Sequence, residues 1–207
     1  VGQILMKQSS CGLKKLSLEL GGNAPFIVFK DANIDEAVEG AIAGKFRFSG
    51  QTCVCVNRFL IQESIHDEFV EKFVVKVEKL KIGGGLDKSV DIGPLINNNA
   101  VNKMKIFIAD AQSKNGDIVS GGTQIEMNYF QPTVITNCSK DMRFAKEEIF
   151  GPIAPIYKFK DETEAIEMAN DTAFGLASYF FTNNLNQSIR VSEALENGIV
   201  GINTGLI

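Results

Sequence analysis

Short apolar runs alternate with helical patterns along most of the chain, and this alternation limits the possible folds more than any other feature. Residues 26–29 and 155–159 have the length and composition of buried strands. Residues 34–48 place Ile34, Val38 and Ile42 on one face of a helix. Strands that alternate with helices form parallel sheets covered by helices. We therefore predict an α/β fold, a layered and largely parallel sheet with flanking helices.

The other elements follow from the same patterns. Asp31 or Asn33 can cap the helix at 34–48, Ser64 can cap the next helix, and Asp161 with Glu164 forms a capping box for a helix that ends at Asn170. Further helices are predicted at 98–113 and 185–196. Further strands are predicted at 16–20, 54–62, 117–120, 129–136, 178–182 and 198–203, with Pro132 giving the fourth an irregular start.

Composition excludes several classes of protein. With 44% hydrophobic and 22% charged residues in 207, the chain has ordinary globular composition. Its net charge of −4 argues against nucleic acid as a partner, and no apolar run approaches the ~20 residues that a membrane helix needs. Four cysteines are too few for a disulfide framework and favour a reducing compartment, while His66, the single histidine, argues against a histidine-rich metal site.

Cys53 is the candidate nucleophile. It follows a Gly50-Gln51 turn at the end of the helix predicted for 34–48. Backbone N–H groups at such a turn can face both a thiolate and the oxyanion that forms when the thiolate attacks a carbonyl. The alternative is a buried structural cysteine, which is our expectation for Cys11 and Cys138 because neither has such a setting.

Glu19 is the candidate general base. It lies among Leu16, Leu18 and Leu20, so we expect burial to raise its pKa toward neutrality and allow it to take a proton from water. The alternative is a glutamate at a strand end that points to solvent.

Arg47, six residues before Cys53, is the candidate substrate anchor, because a guanidinium can bind a carboxylate through two parallel hydrogen bonds. Its alternative is a surface arginine.

Three segments, at residues 14–22, 46–55 and 147–152, resemble in this order the aldehyde dehydrogenase superfamily. Lys45-Phe46-Arg47 together with the sequence QTCVC at 51–55 is similar to its succinate-semialdehyde dehydrogenase branch. The resemblance implies the nucleophile, base and anchor roles given above. It also implies that Glu148 holds the nicotinamide ribose and that Phe150 packs near the nicotinamide.

The resemblance further implies a longer enzyme. Family members are more than twice this length, so we expect residues 1–20 to be the tail end of a dinucleotide-binding domain and 21–207 to be the catalytic domain. The cofactor is expected to be NAD or NADP, with most of its binding site outside this chain. We expect a homo-oligomer, a dimer or tetramer, in the cytoplasm or, in a eukaryote, in the mitochondrial matrix.

The function implied is oxidation of succinate semialdehyde to succinate through a thiohemiacetal and a thioester on Cys53. The alternatives are another semialdehyde such as glutarate semialdehyde, a broad-specificity aldehyde dehydrogenase, or a truncated domain without dehydrogenase activity by itself. Phe48 departs from the pattern, because relatives commonly carry a polar residue there.

Cys55 is a candidate redox switch. Two cysteines one residue apart point to the same side of an extended segment, and a bridge between them would be strained and readily reduced. Some members of the family are regulated in this way, and we predict a reversible bridge between Cys55 and Cys53. The alternative is a small apolar residue at the start of a strand.

Overall fold

The computed structural model describes all 207 residues, which form nine strands and six α-helices. The strands are β1 Ala24–Val28, β2 Val56–Gln62, β3 Asp117–Ser120, β4 Gln124–Glu126, β5 Tyr129–Phe130, β6 Thr133–Thr136, β7 Ile153–Phe159, β8 Ala177–Phe181 and β9 Ile199–Ile202. The helices are α1 Gly2–Ser9, α2 Ile34–Phe46, α3 His66–Val77, α4 Asn98–Ser113, α5 Glu162–Asn170 and α6 Leu185–Ala194.

Seven of the strands form one sheet in the order β3-β6-β7-β2-β1-β8-β9. Every neighbouring pair is parallel except β3 with β6, which is antiparallel. Strands β4 and β5 form a separate antiparallel pair. The predicted α/β fold with a largely parallel sheet is confirmed.

The sheet is buried on both faces. Successive residues of β1 contribute to different cores, since Phe26 and Val28 pack beside α2 and α3 while Ile27 packs on the side of α4, α5 and α6. All five residues of β1 are buried, as are all five of β8. Strands with two covered faces need continuous apolar sequence, which explains the short apolar runs.

Several predicted boundaries need correction. Residues 16–20 form no strand, and Leu16 and Leu20 are 42% and 45% exposed. An alternating apolar pattern makes a strand only where a neighbouring strand completes its hydrogen bonds, and here none does. The strand predicted at 129–136 is divided into β5 and β6 around Pro132, which has no N–H to donate to a ladder.

The helix caps are partly as predicted. Asn33 accepts hydrogen bonds from two backbone N–H groups at the start of α2, and Asp161 accepts one from the N–H of Glu164 at the start of α5. Asp31 instead binds Thr182 and Asn183. The predicted cap at Ser64 is wrong, because a 3-10 turn at Glu63–Ile65 precedes α3 and no side chain caps it.

The other predicted elements keep their type with ends shifted by a few residues, while α1 and β4 are additional elements. None of the helices combines the length and apolarity needed to cross a bilayer. His66 is buried at the start of α3.

Arg58 joins α5 to the sheet from within β2. Only 4% of this residue is exposed, and its guanidinium donates to the carbonyl oxygens of Asn23, Met168 and Ala169 at distances of 2.6–3.2 Å. Burial lowers the pKa of Arg58 to about 10, so the group stays charged at neutral pH. A cation at the last turn of α5 also interacts favourably with the helix dipole.

We expect Arg58→Met to lower the free energy of unfolding by about 3 kcal/mol, because three buried carbonyl groups lose a charged donor. Urea denaturation followed by circular dichroism measures this change. Arg143→Met is the matched control, since Arg143 pairs with Glu147 on the surface and should have little effect. Equal losses in the two variants would contradict the role assigned to Arg58.

Candidate active site

The segment between α2 and β2 reverses direction through three left-handed residues. The φ angles of Phe48, Ser49 and Gly50 are 52°, 58° and 74°. A Cβ atom on Gly50 would lie 2.2 Å from the carbonyl oxygen of Gly151, so only glycine fits there. Left-handed conformations of bulky residues cost free energy and are found most often at functional sites. This reversal also ends α2 at Phe46, two residues earlier than predicted.

Cys53 is half-buried in a turn directly before β2. The backbone N–H of Cys55 donates to the carbonyl oxygen of Thr52 at 3.1 Å, which closes the turn. Gly22 packs against it so closely that a Cβ atom there would lie 2.3 Å from the carbonyl oxygen of Cys53. The glycine pair after Glu19 therefore meets the nucleophile candidate in the folded chain.

Glu148 completes this junction. Its Oε1 accepts a hydrogen bond from the N–H of Gly22 at 2.9 Å, and a Cβ atom on Gly21 would lie 2.6 Å from its Oε2. The backbone carbonyl of Glu148 accepts a bond from Lys103 Nζ at 2.6 Å. Two of the predicted site segments, at 14–22 and 147–152, are thus joined by one carboxylate.

Asn57 holds the same two segments and was missed by the sequence analysis. Its Nδ2 donates to the carbonyl oxygen of Gly22 at 3.1 Å, and its Oδ1 accepts from the N–H of Ile149 at 3.3 Å. The signal in the sequence was a polar pair, Asn57-Arg58, inside an otherwise apolar strand. Buried polar groups of this kind need partners, and here the partners are loop backbones.

Arg47 and Phe150 meet at an open groove beside this junction. The groove is also lined by Phe48, Gln51 and Ile96, and the side chain of Arg47 is exposed at it. Cys53 does not line this groove, although it lies in the same loop as Arg47. The structure therefore groups the predicted substrate anchor with the predicted nicotinamide neighbour.

The expected burial of Glu19 is wrong for this chain. The side chain is exposed, since residues 16–20 form no strand and no element covers them. Glu19 lines a different cavity, beside Leu18, Phe174 and Leu176. Glu19 lies three residues before Gly22, the glycine that packs against the Cys53 turn.

The extended geometry assumed for Cys53 and Cys55 is also wrong, because the two cysteines lie in a turn. Cys55 is 2% exposed, and its Sγ lies 3.5 Å from Nζ of Lys45, which is fully buried. Burial raises the pKa of the Cys55 thiol and lowers the pKa of Lys45. Cys55 thus faces a buried amine in the protein interior.

No three His, Cys, Asp or Glu side chains lie close enough to hold a metal ion. All four cysteines are free thiols.

The model of the aldehyde dehydrogenase family matches residues 1–207. The chain belongs to the aldehyde dehydrogenase family. It is 55% identical over 207 residues to a glutarate-semialdehyde dehydrogenase of Pseudomonas putida and 54% identical over 209 residues to an NADP(+) succinate-semialdehyde dehydrogenase of Escherichia coli. Each alignment covers the whole of this chain and 43% of the relative.

Solved structures agree with this assignment. The crystal structure of a succinate-semialdehyde dehydrogenase from Burkholderia pseudomallei matches with a TM-score of 0.98 and 52% identity. The match covers 100% of this chain and 43% of that one. The predicted membership of the superfamily is confirmed, and the chain spans less than half the length of these relatives.

Proposed function

We propose that these residues are the catalytic part of an NAD(P)-dependent dehydrogenase that oxidises succinate semialdehyde to succinate. The observation that supports this most directly is the exposed Arg47, which shares a loop with Cys53 and a groove with Phe150. In this proposal residues 1–20 end a dinucleotide-binding domain and residues 21–207 are the catalytic domain.

Cys53 acts as the nucleophile. Its thiolate adds to the aldehyde carbon, and the resulting thiohemiacetal becomes a thioester on loss of hydride. Water then cleaves the thioester, which releases the carboxylate product and restores the thiol. Glu19, whose side chain is exposed in this chain, is proposed to take the proton from that water.

NAD or NADP would supply the acceptor for the hydride. Glu148 can accept hydrogen bonds from the two hydroxyl groups of a ribose. A carboxylate accepts about four hydrogen bonds, and only Oε1 of Glu148 is engaged, by the N–H of Gly22. Phe150 presents an aromatic ring that is 38% exposed beside the groove. The choice between NAD and NADP belongs to residues that contact the adenosine ribose, for which this chain offers no candidate.

Arg47 binds the carboxylate at the end of the substrate opposite the aldehyde group. Its side chain forms no ion pair with another residue of the chain, which leaves its guanidinium available for a ligand. Glutarate semialdehyde is the second candidate substrate, since the Pseudomonas putida relative is named for it and it differs by one methylene group. A pocket discriminates a single methylene by only about 1–3 kcal/mol.

The homo-oligomeric state and the compartment follow the same proposal. A dimer or tetramer in the cytoplasm or mitochondrial matrix is expected, where thiols remain reduced.

The rival proposal is a chain that folds but cannot transfer hydride by itself. Measuring NAD(P)-dependent turnover beside cleavage of an activated ester separates the two, because the rival retains only ester cleavage.

Cys53→Ala should lower kcat for aldehyde oxidation by at least about 1000-fold, because no other thiol can form the thioester. The measurement is the steady-state appearance of reduced nicotinamide in the natural polypeptide that contains these residues. Cys11→Ala is the control and should keep full activity, since Cys11 is exposed and lies outside the loop from Arg47 to Cys55. Substantial turnover by Cys53→Ala would remove the nucleophile assignment.

Glu19→Gln provides a second arm of that experiment. The first hydride transfer should remain, while the thioester accumulates because the deacylating water keeps its proton. Rapid-mixing kinetics with acid quench and mass spectrometry would detect the acyl-enzyme. Normal steady-state turnover in this variant would exclude Glu19 as the base.

Arg47→Ala should raise KM for succinate semialdehyde by roughly 30- to 1000-fold, because the substrate carboxylate loses a charged donor. KM for an uncharged aldehyde of similar length should change little. Arg190→Ala is the control, since Arg190 pairs with Glu162 on the surface. Equal losses for both substrates would mean that Arg47 supports the loop and does not bind the carboxylate.

Cys55 remains a proposed redox switch, with the added condition that the turn at 52–55 must open before Cys55 can reach Cys53. We expect peroxide to inactivate the enzyme slowly, with a mass lower by about two daltons and recovery with dithiothreitol. Cys55→Ala should lose activity without this recovery. If Cys55→Ala is inactivated and restored like the wild type, Cys55 has no switching role.

A further inference from the structure

Two buried side chains bind the backbone on the far side of the Cys53 turn. The first is Tyr179, in the middle of β8, whose hydroxyl donates to the carbonyl oxygen of Val54 at 2.7 Å. Tyr179 is 1% exposed. Since β8 pairs with β1 and β1 pairs with β2, the phenol spans one strand to reach the residue that directly follows Cys53.

The second is Lys45, in the last turn of α2. Its Nζ donates to the carbonyl oxygen of Val56 at 2.9 Å and lies 3.5 Å from Sγ of Cys55. The loop from Arg47 to Cys55 leaves α2 just after Lys45 and enters β2 at Val56. Lys45 therefore closes the base of this loop, while Tyr179 binds it next to Cys53.

Other hydrogen bonds hold the loop before the turn: Ser49 Oγ donates to the carbonyl oxygen of Gly93 at 2.8 Å, and Gln51 Oε1 accepts from the N–H of Ile96 at 2.9 Å. Within the turn, the backbone contributes the bond from the N–H of Cys55 to Thr52. The loop before it contains Phe48 and Ser49 in left-handed conformations, which are not favourable by themselves. Side-chain donors fixed in the core can hold such a loop in one conformation.

Tyr179 is suited to this task because it is a permanent donor. Burial raises the pKa of its phenol to about 12, with the nearby charge of Arg47 opposing the shift. The hydroxyl therefore keeps its proton at any pH at which the enzyme would work. Because the ring is packed against Phe26 at a centroid distance of 6.3 Å, the hydroxyl has little freedom to move.

We propose that Tyr179 and Lys45 are positioning residues for the Cys53 nucleophile. They act through the carbonyl groups of Val54 and Val56 and touch no substrate. This inference rests on the proposed role of Cys53. Thiolate attack requires the sulfur to lie within about 3.5 Å of the carbonyl carbon. A displacement of the sulfur by about 1 Å can lower the rate roughly 100-fold.

The test is Tyr179→Phe, which removes one hydroxyl and keeps the ring. Tyr157→Phe is the matched control, because Tyr157 is a buried tyrosine of β7 whose hydroxyl has no hydrogen-bond partner. We expect Tyr179→Phe to lower kcat about 10- to 100-fold with KM for succinate semialdehyde nearly unchanged, since the turn moves while Arg47 keeps its place. Tyr157→Phe should match the wild type.

A second measurement separates positioning from stability. The rate constant for alkylation of Cys53 by iodoacetamide, followed by peptide mass spectrometry, should change in Tyr179→Phe and not in Tyr157→Phe. A lower melting temperature with unchanged kcat and alkylation rate would mean a purely structural role and would overturn the inference. If Tyr179→Phe does not fold, kcat of Lys45→Met is measured instead, and a wild-type kcat in Lys45→Met overturns the inference.

Failure of the proposed function gives a different pattern. If Cys53→Ala stays active, the nucleophile assignment is wrong and positioning of Cys53 has no role in the reaction. If Cys53→Ala is inactive while Tyr179→Phe equals Tyr157→Phe in both measurements, the function stands and the positioning role alone is rejected.

Discussion

The close contact between Gly22 and the carbonyl oxygen of Cys53 is the constraint on which the site depends. Any side chain at residue 22 would collide with that oxygen at 2.3 Å. The glycine allows the segment before β1 to dock on the turn before β2. Once docked, its N–H and C=O groups need partners, which Glu148 and Asn57 supply. One steric condition thus brings together segments separated by more than a hundred residues in sequence.

Buried polar side chains extend the same principle through the sheet. A sheet covered on both faces leaves little water for polar groups, so most of them bind a partner inside the protein, and the Tyr157 hydroxyl is an exception. Arg58 binds carbonyls at the end of α5, Asn57 binds Gly22 and Ile149, and Tyr179 binds Val54. The partners are mostly loop backbones. The core therefore fixes the loops that carry the chemistry as well as packing the strands.

Predictions from residue patterns succeeded where local chemistry decides the structure. The apolar runs of β1 and β7 and the caps at Asn33 and Asp161 follow from side-chain size and hydrogen bonding. Residues 16–20 failed because a strand needs a neighbour that its own sequence cannot provide. The paired geometry of Cys53 and Cys55 failed because a turn, set by contacts from α2 and β8, replaced an extended segment.

The sequence by itself determined the fold class and the family, and it identified residues 19, 47, 53, 148 and 150 as site candidates. Local motifs and periodicities carry this information. Only the tertiary structure decided which of these residues meet. It joined Glu148 to the Cys53 turn through Gly22, grouped Arg47 with Phe150, left Glu19 exposed and buried Cys55 against Lys45. The physical reason is that burial and contact depend on what other elements bring to a position, and no local pattern records those elements.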